Sequence, residues 1–204
     1  MAEYHTFTPG PGYLLHKFTE AELAPIWNEV NRIKTNWQAT PYNHKLIGNI
    51  KREYTLDNIY HYLNHLIAPL IDSYMTQSKY WGRVDSLMTM RPLVLSSAWV
   101  NYQAPGEFNP THNHNGAMSF VIWLSIPFTQ SDETPPNDMP SAKGDFYFQY
   151  VDSLGGLCSQ GMNIDKSMES YICVFPSALN HTVYPFFSTT EYRISISGNW
   201  KFLP

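Results

Sequence analysis

Charge is scarce in this 204-residue chain. Asp, Glu, Lys and Arg make up 15% of it, against a usual share of about a quarter. With 43% hydrophobic and 15% aromatic residues, the composition excludes a disordered or solvating polypeptide, which needs high charge and few aromatics. Cysteine is scarcer still, and Cys158 and Cys173 alone cannot supply a disulfide scaffold or a cysteine zinc site. There is no basic excess; the formal net charge is −4, so no nucleic-acid partner is expected. No apolar run approaches the roughly 20 residues of a membrane helix, and no membrane association is expected. The opening MAEYHTFTPG lacks a basic n-region and an apolar h-region, so the expected location is cytoplasmic. G-x-S-x-G, P-loop and G-x-G-x-x-G motifs are missing, which removes the hydrolase-elbow, NTPase and dinucleotide-fold readings. What the chain does have is eight histidines and fourteen tyrosines. Its length suits one domain, residues 1–204, with a full hydrophobic core.

Residues 1–90 read as helical support. Thr19-x-x-Glu22 has the form of a capping box, followed by Leu23, Ile26, Val30 and Ile33 at helical spacing. Pro25 is deep for a first-turn proline, so a later start or a bend is expected there. A second helix is expected from about Leu56 to Met75, with Ile59, Leu63, Leu66, Leu70 and Tyr74 on its apolar side and a kink at Pro69. The stretch between the two helices reads as loop with at most one strand.

From about residue 91 the period changes to two. SFVIWLSIP, DFYFQYV, SYICVFP, HTVYPF and YRISISGNW are separated by Gly, Pro, Asn and Ser clusters. Short strands in that number, after two helices, fit a β-sandwich or barrel packed on helices. In the last strand Ile194, Ile196 and Trp200 share one face, while Arg193, Ser195, Ser197 and Asn199 share the other. If helices cover one side of the sheet, that polar face lines a cavity inside the barrel. The polar, proline-rich segment from Phe128 to Gly144 is long for a connector and is a candidate lid.

Two constellations carry chemistry. His112 and His114 form an H-x-H pair whose side chains point the same way in a strand, and His181 lies far along the chain. Three imidazoles on a β-barrel suit iron, copper, nickel or zinc, and leave coordination positions open. Hydrogen-bonded or exposed histidines near turns would give the same spacing. Arg193 follows His181 by twelve positions, with Ser195 on the same face. A guanidinium inside a barrel must find an anion. Its fork matches a carboxylate bidentately, and a hydroxyl two residues on supports the same group. Together the two constellations describe a site for a small dicarboxylate that also chelates the metal.

NYQAPGEFNPTHNHNGAMSFVIWLSIP, GDFYFQY, FPSALNHTVYPF and RISISGNW, in that order, resemble the iron(II)/2-oxoglutarate-dependent oxygenases. The likeness is to their compact, prolyl-hydroxylase-like branch, common in marine bacteria and their phages. NHKLIGNIKREYTL and WGRVDSLM also resemble phage-type members. The resemblance implies a double-stranded β-helix fold, with N-terminal helices packed on the sheet. Fe(II) would be the cofactor and 2-oxoglutarate the cosubstrate, oxidised to succinate and CO2 as an unidentified prime substrate is hydroxylated. It implies His112 and His181 as metal ligands, Arg193 with Ser195 on the distal carboxylate of 2-oxoglutarate, and Tyr102 as a further contact to that cosubstrate. Where the family has H-x-D or H-x-E, this chain has His114. Three readings stay open: a three-histidine site, a carboxylate from elsewhere (Glu107 or Asp145), or an impaired site. Trp99 and Trp123 are candidates for the pocket wall.

A cupin also begins its first motif with G-x5-H-x-H, but its glutamate is missing near Met118 or Ser119, and Arg193 favours the oxygenase. A reading of a different class is a non-catalytic β-helix module, for example virion-associated, that kept the fold and lost the carboxylate ligand. Self-association is equally open. His61 and His65 have metalloprotease spacing but Tyr62 stands between them, so the general base is absent. His5, His16 and His44 have no identifiable partners, Cys173 reads as core, and Cys158 as a surface thiol.

Overall fold

The structure, a computed structural model, describes residues 12–37, 39–77, 92–134 and 141–203. In chain order its strands are β1 (Leu14–Lys17), β2 (Glu53–Thr55), β3 (Leu93–Gln103), β4 (Asn109–His112), β5 (Met118–Ser125), β6 (Phe146–Val151), β7 (Leu157–Met162), β8 (Tyr171–Pro176), β9 (Asn180–Val183) and β10 (Arg193–Phe202). The helices are α1 (Glu20–Asn36), α2 (Tyr60–Gln77) and the single-turn α3 (Gln130–Glu133). A six-stranded sheet in the order β1-β8-β5-β10-β3-β2 accompanies a four-stranded sheet in the order β4-β9-β6-β7. The pairings are antiparallel. Two such sheets with helices on the larger one form a double-stranded β-helix. Among the described residues, no helix is long and apolar enough to cross a membrane.

Local chemistry explains the helical layer. Thr19 caps α1: its hydroxyl accepts from the Glu22 N–H, and the Glu22 carboxylate accepts from the Thr19 N–H at 2.8 Å. Leu23, Ile26, Val30 and Ile33 then bury one face. Pro25 lies inside the helix, which neither starts later nor stops there. Helix α2 differs from expectation. A 3-10 turn, Asp57–Ile59, precedes it, and its buried stripe is Leu63, Ile67, Ile71 and Tyr74. Leu66 and Leu70 are only partly buried, and Pro69 sits on the exposed side. The described part of residues 1–90 also contributes two strands: β1 and β2 close the edges of the larger sheet.

One core lies between the helices and the larger sheet, where Ile26, Val30, Ile67 and Ile71 meet Val100, Phe120, Ile122 and Ile196. A second core lies between the sheets, with Val121 and Trp123 of β5 against Phe146, Phe148 and Phe175. Strand β5 is therefore buried on both faces. That explains the unbroken apolar run FVIWL at its centre.

Truncating Ile67, fully buried in the first core, is expected to cost about 3 kcal/mol, and truncating the half-buried Leu66 about 1 kcal/mol. Denaturant unfolding of Ile67→Ala and Leu66→Ala checks the order; the reverse order would contradict this packing.

Candidate metal centre

Strand pairing brings two of the histidines together. His112 ends β4 and lies directly opposite His181 of β9, with ring centroids 4.3 Å apart. His114 lies beyond the end of β4, so strand alternation does not aim it. Its backbone N–H instead donates to the Ser177 carbonyl at 2.9 Å. Its ring comes within 5.0 Å of His112 and 5.1 Å of His181. One ligand nitrogen from each ring lies within 4.8 Å of the others, and among the described residues no carboxylate joins the group.

Two of the rings are oriented by the same device. Nδ1 of His112 bonds the Pro110 carbonyl at 2.7 Å, and Nδ1 of His181 bonds the Leu179 carbonyl at 3.0 Å. A carbonyl only accepts, so Nδ1 carries the proton and the Nε2 lone pair is free. Burial lowers the pKa of His112 below the ordinary imidazole value. Burial, then the neighbouring His112, lowers His114 to about 4. Burial, then the other two rings, holds His181 well below the ordinary imidazole value. Three neutral imidazoles with convergent nitrogens fit a divalent transition metal.

The cavity beside the histidines lies between the sheets. Trp99, Asn101 and Gln103 of β3 and Arg193, Ser195 and Ser197 of β10 line it. Trp123 also lines it, so both tryptophans stand in the wall. The Asn101 carboxamide donates to Ser195 Oγ at 3.1 Å and Ser197 Oγ at 3.0 Å, and accepts from Trp99 Nε1 at 3.0 Å. Arg193 is buried; its Nε and Nη2 donate to Gln103 Oε1 at 2.9 and 2.7 Å. Nη2 also donates to the Tyr184 carbonyl at 3.0 Å, and Nη1 to that of Gly144. Burial pulls its pKa down to about 10, opposed by Asp145 and Glu133, so it stays charged at neutral pH. The expected two-pronged grip on a carboxylate through the Nε–Nη2 edge is not available, because Gln103 takes that edge.

Tyr102 requires a correction. It is fully buried on the helix side of β3, and its hydroxyl donates to the Val30 carbonyl of α1 at 2.6 Å. Alternation along β3 sends Ala98, Val100 and Tyr102 to the helices and Trp99, Asn101 and Gln103 to the cavity. That alternation was visible in AWVNYQ and would have found Asn101 and Gln103.

The acidic candidates are occupied elsewhere. Glu107 accepts from the Ala104 N–H at 2.9 Å, and Asp145 from Gln130 Nε2 at 2.6 Å. In the 128–144 segment, Glu133 of α3 accepts from the N–H groups of Phe187 and Ser188 at 2.8 Å each, which pins the described part of the expected lid. Residues 135–140, His5 and WGRVDSLM lie outside the described residues. His61 and His65 face solvent on α2, and His16 and His44 are also exposed. Cys173 is buried, and Cys158 is half-buried beside Asp152.

A family model of 2OG-Fe(II) oxygenases matches residues 97–199, slightly over half of the chain. The chain belongs to this family. The matched segment holds all three histidines, Arg193 and Ser195. A prolyl-4-hydroxylase of Pseudomonas putida superposes with a TM-score of 0.59 at 13% identity, over 95% of this chain and 94% of that one. The viral collagen prolyl hydroxylase of Paramecium Bursaria Chlorella virus-1, solved with 2-oxoglutarate, gives 0.51 at 10% identity over 94% and 96%. HygX of Streptomyces hygroscopicus, solved with nickel and 2-oxoglutarate, gives 0.51 at 11% identity over 94% and 83%. These three likenesses are of fold. No curated protein sequence matches the chain. Fe(II) and 2-oxoglutarate, the cofactor and cosubstrate of the family, fit the three-histidine donor set.

Two outcomes check this description. Tyr102→Phe is expected to lose about 1 kcal/mol of stability and to leave 2-oxoglutarate affinity unchanged, as read by denaturant unfolding and by cosubstrate titration. Glu53, on β2 opposite Asn101, is buried with Oε1 unpartnered. Burial, then Glu107, raises its pKa to about 8. The folded protein thus holds a proton that the unfolded chain releases above its ordinary pKa, so stability falls as pH rises from about 4.5 to 8. Glu53→Gln is expected to flatten that fall and to stabilise by about 2 kcal/mol at pH 8. Unfolding curves at pH 5 and pH 8 read both effects.

Proposed function

We propose that this chain is an Fe(II)- and 2-oxoglutarate-dependent dioxygenase that hydroxylates a small molecule or side chain reaching the metal from outside the barrel. His112, His114 and His181 would hold the iron. The observation that carries the reading is the single cavity shared by the three convergent imidazoles and a buried arginine. Bound Fe(II) supplies the redox chemistry, with coordination positions that a three-residue ligand set leaves open.

The chain's own residues do the rest. The Pro110 and Leu179 carbonyls keep the Nδ1 protons of His112 and His181 in place, so both rings present Nε2 without rearrangement. Arg193 and Ser195 hold the distal carboxylate of 2-oxoglutarate and so orient its oxo acid end toward the histidines. Ser195 Oγ accepts from Asn101, which leaves its own proton to donate. The apolar wall of Val121, Trp123, Phe146 and Phe175 keeps water scarce there. Beside His112 and His114 an open groove of about 420 Å³ runs past Tyr42, Lys45, Ile47, Ser97, Asn113 and Asn199. The prime substrate would approach along it.

Anaerobic addition of Fe(II) and 2-oxoglutarate is expected to produce a metal-to-ligand charge-transfer band, and air to convert 2-oxoglutarate to succinate. His181→Ala should weaken iron binding by at least about 100-fold and remove the band, and Arg193→Ala should weaken the band through the cosubstrate. Absence of band and succinate in the wild type would overturn the proposal. In His114→Asp, loss of turnover is expected for a three-histidine centre. A gain would instead mark a site decayed from the usual His-x-Asp set.

A further inference from the structure

Arg193 is held in an unusual way for a buried cation. Among the described residues its hydrogen-bond acceptors are the Gln103 carboxamide and the carbonyls of Tyr184 and Gly144, all neutral. Among those residues no carboxylate lies within ion-pair distance of it. Asp145 and Glu133 are near enough to be felt, but their oxygens are taken by Gln130 and by the Phe187 and Ser188 amides. The faces of Phe128 and Phe186 lie 5.8 and 5.6 Å from the guanidinium carbon. A guanidinium has five N–H donors. The Nε and both Nη2 hydrogens are committed, and Nη1 has one hydrogen on Gly144 and one left over.

Gln103 decides this arrangement. It lies directly opposite Arg193 in the β3–β10 ladder, so the two side chains share the cavity face. Its Oε1 bridges the Nε–Nη2 edge, the side of the fork best suited to a carboxylate. Its Nε2 donates to the Glu107 carbonyl at 2.6 Å, which fixes the amide orientation and hence which atom meets the arginine. Gln103 is itself buried. A glutamate at this position would make the same contacts to the guanidinium, but would neutralise it internally.

Building on the proposed function, we infer that Gln103 is the positioning residue that sets selectivity for a cosubstrate with a distal carboxylate: its amide locks the Arg193 fork without neutralising it. The charge is left for a ligand anion, which is received by the remaining Nη1 hydrogen and the Ser195 hydroxyl. The grip is one-pronged at the arginine, so the discrimination comes from unneutralised charge and not from a bidentate match.

The test compares 2-oxoglutarate with 2-oxopentanoate, which offers the same oxo acid to the metal but lacks the distal carboxylate. Both are titrated anaerobically into the Fe(II)-loaded full chain, with binding read from the absorbance band, and Fe(II) affinity is measured separately. The wild type is expected to prefer 2-oxoglutarate by at least about 30-fold. In Gln103→Glu that ratio should collapse to within about threefold, while affinities for Fe(II) and 2-oxopentanoate stay within about twofold. Merely structural damage would lower affinity for both oxo acids and spare the ratio. Gln103→Met removes the acceptor without adding charge and should lower the ratio by about three- to tenfold. It carries the test if the glutamate variant melts below the assay temperature. A wild-type ratio in the folded variants overturns the inference, whereas a wild type that binds neither oxo acid overturns the proposed function instead.

Discussion

Strand β10 is hydrogen-bonded on both sides, to β3 and to β5, and this pairing ties the core to the cavity. Every second residue must face the helices and every other one the space between the sheets. Ile194, Ile196 and Trp200 therefore enter the core, and Arg193, Ser195 and Ser197 line the cavity. A slip of one residue would put the guanidinium among aliphatic side chains and isoleucine beside the histidines. Gly198 helps to hold the register. A Cβ there would lie 2.6 Å from both the Ser97 carbonyl and the Phe120 ring, so only glycine passes between the neighbouring strands. The same hydrogen bonds that make the sheet thus also place the site.

The electrostatics follow from what the cavity lacks. Its three imidazoles are held neutral by burial, and among the described residues its arginine meets only neutral acceptors. A divalent metal in this chain would keep its full formal charge, where a histidine–carboxylate set would cancel part of it. Negative charge must then come from a ligand. A dianionic oxo acid, with one end for the metal and one for Arg193, has the matching charge distribution.

Much of this was legible in the sequence. The capping box and stripe of α1 and the alternation of β10 are local patterns, and each formed as its spacing implied. The misses have physical causes. The buried stripe of α2 shares Leu63 and Tyr74 with the expected one but runs through Ile67 and Ile71, because LIAPLI offers apolar residues on two adjacent helix faces and packing against the sheet chooses between them. The resemblance implied Tyr102 as a cosubstrate contact, yet strand parity sends it toward α1, where its hydroxyl finds a helix carbonyl. His114 lies past the end of its strand, so its place depends on Ser177, a partner more than 60 positions away. Strands β1 and β2 are too short, at 4 and 3 residues, to show any period.

The two carbonyl tethers, Pro110 to His112 and Leu179 to His181, have an evolutionary consequence. In many metal sites a neighbouring side chain orients the ligand ring, and one substitution there changes the tautomer. Here the orienting group is main chain, present whatever residue occupies position 110 or 179. Neutral drift around the centre can therefore replace surrounding side chains freely without turning either imidazole. A lineage that inherited this backbone could change what it oxidises many times over while the two histidines stayed aimed at the same point.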